Sequence, residues 1–219
     1  MSAQRLSIPP SGFIEPCLPT SVARPPRGPE WQHELKHDGF RLMARRTGGG
    51  HARLFTRRGA DWAARYPHIV KAVQTLACLS ATIDGEAVYC GPAGSGGSSL
   101  GASGLGGSGL AAPQGRERDR HVLMYAFDLL ELNGTDLREL PLAKRRAMLA
   151  RLLRRAPDGI QFSEHGDDGS LLFEQVCKMG LEGIVSKRRD SVYRSGRSRL
   201  WLETRNPASP VGQRFDKGT

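Results

Sequence analysis

The stretch Glu34-Leu35-Lys36-His37-Asp38-Gly39-Phe40-Arg41 sets a lysine at a turn between an acid and a base. A primary amine becomes a nucleophile when nearby cations or desolvation lower its pKa and free the lone pair. Lys36 is therefore the candidate nucleophile, with Glu34 and Arg41 as charged neighbours. A plain Asp-Gly hairpin with solvated charges would share this local sequence. What decides between the two readings lies elsewhere in the chain.

Further groups follow in order: Thr56-Arg57-Arg58-Gly59, Ile83-Asp84-Gly85-Glu86, Tyr125-Ala126-Phe127-Asp128, Glu182-Gly183-Ile184-Val185-Ser186-Lys187, Tyr193-Arg194-Ser195-Gly196-Arg197 and Trp201-Leu202-Glu203-Thr204-Arg205. Glu86 and Glu182 are oxygen donors of the kind that suits Mg²⁺. Phe127, on a strand between apolar neighbours, serves either core packing or a ring face for a base. Lys187 with Arg188 and Arg189 is a basic run, read equally as a solvated face. Between Tyr193 and Arg205 stand four further arginines, Arg194, Arg197, Arg199 and Arg205. They make a stripe that grips a phosphodiester backbone or remains a solvated arm.

These residues need a scaffold, and the apolar patterning predicts one. Trp31–Leu35 and Phe40–Arg46 read as strands with Lys36–Gly39 between them, and His51–Phe55 as a short third strand. Tyr66–Leu79 has helical spacing, and Thr82–Tyr89 is rich in β-branched and aromatic residues. Val122–Leu130 is a buried strand, Pro141–Arg155 a helix, and Ser170–Met179 a second helix closed by Gly180. Gly183–Lys187 and Leu200–Thr204 read as strands. The mixed order favours an α+β fold over a doubly wound parallel sheet. Residues 1–29 are Pro-rich and read as an extended arm along the domain edge. The body runs over residues 30–207, and residues 208–219 form a loose tail. A flexible insertion at 91–118 interrupts the body. Its first 22 residues, Gly91 to Ala112, hold nine Gly and five Ser, too little apolar surface to offset the entropy of ordering.

Composition narrows the partners. In 219 residues, 32 Lys plus Arg against 22 Asp plus Glu give a net charge of +10. A polyanion such as nucleic acid fits that balance, and so does a genome that favours arginine codons. No run approaches the roughly 18–20 apolar residues of a membrane span, and Met1–Pro10 has no apolar signal region. Cys17, Cys78, Cys90 and Cys177 form no Cys-x-x-Cys pair, which argues against structural zinc and against a disulfide framework. A reducing cytoplasm, close to the nucleoid, is the expected setting.

In this order and spacing, the motifs from Glu34 to Arg205 closely resemble the nucleotidyltransferase motifs of ATP-dependent DNA ligases. The ligase domains of bacterial end-joining proteins and their small stand-alone relatives are the most similar. The resemblance runs from about Gly12 to Pro207, apart from the Gly/Ser tract. It implies the adenylation-domain fold, with antiparallel sheets flanked by helices. It implies ATP and Mg²⁺ (or Mn²⁺) as cofactors and DNA with a nick or break as partner. Lys36 would attack the α-phosphorus of ATP and carry AMP. Glu34 would lie near the adenine amino group and Phe127 would stack on the base. Arg41 and Arg57 would bind phosphate, Glu86 and Glu182 the ribose or metal, and Lys187 the α-phosphate. Arg205 would also contact nucleotide, while Arg58, Arg194, Arg197 and Arg199 would touch DNA.

Three departures stand out. The family's last motif has two lysines two residues apart, where this chain has Glu203 and Arg205. The chain stops after this motif, where full ligases continue into an OB-fold domain, and a partner protein is one candidate source of such a domain. The Gly/Ser tract replaces sequence of mixed composition. A non-catalytic nucleic-acid-binding paralogue, an RNA ligase and a capping-type nucleotidyltransferase are the competing readings.

Overall fold

The structure, a computed structural model, describes residues 13–90 and 121–209. The expected insertion at 91–118, the start of the arm and the end of the tail lie outside the described residues. The elements in chain order are β1 (Cys17–Ser21), β2 (Trp31–Leu35), β3 (Phe40–Arg46), β4 (Ala52–Thr56), α1 (Pro67–Gln74), β5 (Ala81–Tyr89), β6 (Val122–Leu132), β7 (Thr135–Asp136), α2 (Leu142–Leu153), β8 (Ile160–Phe162), α3 (Gly169–Lys178), β9 (Gly183–Arg188) and β10 (Gly196–Arg205).

They form two sheets. One has the order β1-β10-β9-β2; the other runs β4-β3-β5-β6-β7, with β8 beside β6. Apolar residues alternate along β3 and β5, so one face of the second sheet rests on α1 and α2. Leu42, Leu54, Ile69, Val73, Ile83, Met124, Leu129 and Leu149 fill that layer, all essentially inaccessible to solvent. Fully burying a side chain of this size stabilises by about 1.5–3 kcal/mol relative to exposure. A second cluster, with Cys17, Met43, Phe127, Leu130, Tyr193 and Trp201, lies between the two sheets. Val176, Leu181 and Ile184 seat α3 against the first sheet.

Several boundaries differ from the sequence expectation. The Pro-rich arm contains a strand: β1 pairs with β10, in parallel, at the sheet edge. An edge position tolerates Pro19, because a residue without an N–H leaves no ladder bond unmade on the outer side. The sheets are therefore not purely antiparallel, since β8 also pairs with β6 in parallel. Helix α1 stops at Gln74 instead of Leu79. Arg46 on β3 explains the stop, donating to the carbonyls of Gln74, Cys78 and Leu79 and so holding the chain in a turn.

Candidate active site

The connection from β2 to β3, residues 36–39, crosses from one sheet to the other. Gly39 fits there because a Cβ would lie 2.2 Å from the carbonyl oxygen of Ala87. A cleft of about 730 Å³ opens between the sheets. Ladder register decides which side chains share its floor. Across β2, β9 and β10, Gln32, Lys187 and Trp201 lie in one row, and Glu34, Val185 and Glu203 in the next. Glu203 and Arg205, two residues apart on β10, both line the cleft, as strand alternation requires. The second sheet contributes Phe40, Arg41, Thr56, Glu86 and Phe127.

Lys36 sits at the centre of this arrangement. Its Nζ donates to Glu182 Oε1 at 2.5 Å, and its backbone N–H donates to the Gly183 carbonyl. Gly183 has φ +155°, and a Cβ on it would meet the Thr204 carbonyl oxygen at 2.2 Å, so only glycine lets β9 come this close to β10. Burial pushes the Glu182 carboxyl up, and Lys36 draws it part of the way back. Glu86 is pushed up to about 7 by burial, with Arg41 and Lys36 opposing the shift.

On the other side of the cleft, Glu34 accepts from Lys187 Nζ at 2.8 Å, from Gln32 at 3.2 Å, and pairs with Arg146 at 2.9 Å. Burial pushes its carboxyl up, but Lys187 and Arg146 outweigh burial and hold it below the ordinary range. The Lys187 ammonium lies 4.0 Å from the centroid of Phe127 and 4.2 Å from that of Trp201. Burial lowers its pKa in spite of Glu34. The structure thus places Lys187 beside Glu34 and the Phe127 ring, in a pair only 2% exposed.

Arg41 is equally committed. Its guanidinium donates to both oxygens of Asp84, at 2.6 and 2.7 Å, and lies 4.5 Å from the Phe127 centroid. Tyr193 donates to Asp84 at 2.6 Å and accepts from the Cys17 N–H at 3.0 Å, tying the arm to this network. Arg57 and Arg58 stand exposed at the cleft mouth. Arg194, Arg197 and Arg199 are not part of the cleft lining. Arg194 pairs with Glu139 on the surface, Arg197 donates to the Pro19 carbonyl, and Arg199 is exposed.

Sequence reasoning missed Asp84 with Tyr193, and it missed Arg145 and Arg146. The two arginines carried a signal, because they fall on the stripe Leu142, Leu149 and Leu153 that α2 buries. A charge on an apolar stripe demands a partner.

Comparison with known proteins supplies the family. The chain is 40% identical over 193 residues to a multifunctional non-homologous end joining protein LigD of Pseudomonas aeruginosa, covering 87% of the chain and 22% of that protein. Against the LigD of Mycobacterium tuberculosis the identity is 34% over 168 residues, covering 77% of the chain and 20% of that protein. The chain therefore spans about a fifth of the length of these relatives. The crystal structure of the ligase domain of M. tuberculosis LigD superposes with a TM-score of 0.65 at 31% identity, covering 86% of the chain and 58% of the domain. A mycobacterial DNA ligase D solved with ATP and MES gives a TM-score of 0.66 at 29% identity, covering 87% of the chain and 59% of that structure. The family model of the ATP dependent DNA ligase domain matches residues 20–204, and the chain belongs to that family.

Proposed function

We propose that this chain is a ligase adenylation domain that forms a lysyl-AMP intermediate on Lys36 and transfers AMP to a 5′-phosphate at a DNA break. The observation that carries the reading is the position of the Lys36 amine. It stands against Glu182 in a cleft that Glu34, Lys187 and Phe127 also line, with the exposed Arg57 and Arg58 at its mouth. The Nζ lone pair bonds to the α-phosphorus while the bond to the bridging oxygen of pyrophosphate breaks, and Glu182 is the nearest acceptor for the Nζ proton. Glu34 accepts from an exocyclic amino group while Lys187 donates beside it. Arg57 faces the phosphates. The step is one of positioning and charge neutralisation.

Among the described residues, no three His, Cys, Asp or Glu side chains converge into a cage for a metal. Mg²⁺ commonly needs none, because one or two carboxylates and the substrate phosphates hold it with several waters. Glu86 and Glu182 fit that donor set. Bound there, Mg²⁺ would neutralise charge on the phosphate oxygens.

The test is incubation with labelled ATP and Mg²⁺ followed by a denaturing gel. Label should stay on the wild-type protein and vanish in Lys36→Ala, whose fold should survive because a turn side chain carries little packing. Undiminished label in Lys36→Ala would refute the assignment. A second reading, a nucleic-acid-binding paralogue without chemistry, draws on Glu203 in the cleft. It predicts no label on the wild type.

A further inference from the structure

The Arg146 side chain lies outside every motif named so far, yet it joins two of the residues that line the cleft, Glu34 and Phe127. It projects from α2 and is 2% exposed. One terminal nitrogen, Nη1, lies 2.9 Å from Glu34 Oε1 and donates to the Phe127 carbonyl at 2.8 Å. The other, Nη2, donates to the Ser163 carbonyl at 2.5 Å and lies 3.3 Å from His165 Nδ1. The guanidinium plane rests 4.6 Å from the Phe162 centroid. One rigid planar group thus sets the carboxylate on β2 relative to the backbone of the aromatic residue on β6.

We propose that Arg146 is a positioning residue for base selection, fixing Glu34 and Phe127 in one frame so that the carboxylate accepts from the 6-amino group of a purine held in the cleft that both residues line. This rests on the nucleotide-binding reading above. The carboxylate is an acceptor only. It rewards an amino group at purine C6, repels a carbonyl there, and gains nothing from a hydrogen. Lys187 and Gln32 keep Glu34 charged when Arg146 is lost, but neither reaches the Phe127 carbonyl. Loss of Arg146 therefore loosens the angle between acceptor and ring rather than abolishing either.

The test compares adenylation by ATP with adenylation by purine riboside 5′-triphosphate, which lacks the 6-amino group. The wild type should prefer ATP by about tenfold or more in kcat/KM, the worth of a hydrogen bond to a charged group. Arg146→Gln should raise KM for ATP by about that factor, with kcat at saturation within about threefold, and leave KM for the analogue nearly unchanged. The preference then collapses toward one. A merely structural role would impair both substrates alike, and that result overturns the proposal, as does an undiminished preference. Should Arg146→Gln not fold, Arg146→Lys decides, since it keeps the cation but lacks the rigid planar fork that spans Glu34 and the Phe127 and Ser163 carbonyls. Its preference must also fall, and failure of both variants to fold assigns Arg146 to stability and overturns the proposal. Absence of label on the wild type with either triphosphate is a different result, which defeats the underlying reading instead.

Discussion

At the scale of single residues, Glu203 sets the strongest expectation. It lies on the cleft face of β10 with its carboxylate 3.3 Å from Arg205. There it presents an anion to a site that must accept phosphates, and it engages the neighbouring cation. Glu203→Lys should raise the rate of Lys36 adenylation by roughly a hundredfold, equivalent to about 3 kcal/mol for a phosphate contact made in the transition state. Single-turnover labelling measures it, and an unchanged rate would show that this position does not limit the chemistry. His37 yields a prediction of another kind. Its ring stacks on Tyr125 at 4.4 Å, and burial lowers its pKa to about 4, with Glu34 opposing. The folded state therefore holds His37 neutral where an unfolded chain would protonate it. The sign follows: stability is intact above about pH 6.5 and falls as the pH drops toward 4, because only the unfolded state takes up the proton there. Denaturant unfolding across this range should show the loss, and His37→Gln should show less of it.

At the scale of elements, α2 matters through what it buries. Arg145 donates to both oxygens of Asp128 at 2.8 Å, both side chains are fully buried, and the guanidinium also reaches the carbonyls of Leu140 and Ser191. Arg145→Ala should cost about 3–5 kcal/mol, because it strands a buried carboxylate. Replacing both residues, Arg145→Met with Asp128→Leu, should cost much less. Equal losses in the single and double variants would mean that packing, not the stranded charge, sets the cost. How far α2 was legible in the sequence follows from the same residues. Its leucines gave the helix, while Arg145 and Arg146 were passed over because their partners, Asp128 and Glu34, are distant in sequence. Strands β2 and β3 were legible to the residue, since alternation and the Asp-Gly turn agree. Strand β1 was hidden by Pro16 and Pro19, whose composition resembles a loose arm; only pairing with β10 makes it a strand. The overlong reading of α1 failed for the same reason, as Arg46 acts on its end from β3, a strand distant in sequence. Of the site, the motifs gave the cleft residues, but not which cations would be spent on internal partners.

At the scale of the molecule, that last point changes what a net charge of +10 can do. From Lys187 to Arg205 the chain has seven Lys or Arg. Seven phosphate contacts would give a slope of log K against log salt near about −6, at roughly 0.9 per contact. The structure engages five of these cations with carboxylates: Lys187 with Glu34, Arg188 with Asp190, Arg189 with Asp167, Arg194 with Glu139 and Arg205 with Glu203. Arg197 and Arg199 remain exposed on β10, away from the cleft lining, and Arg57 and Arg58 stand exposed at the cleft mouth. Four such contacts correspond to a slope of about −3 to −4. Binding to nicked duplex should therefore weaken with salt at that slope, with little sequence preference, since phosphates carry no base information. Arg57→Ala with Arg58→Ala should reduce the slope by about 2 without creating any preference for sequence. Surface pairs are individually worth only about 0–1 kcal/mol, so DNA can in principle recruit Arg188, Arg189 and Arg194 from their carboxylates. A measured slope near −6 would show that it does, and that the ion pairs yield on binding. A flat dependence would remove DNA backbone contact from the account altogether.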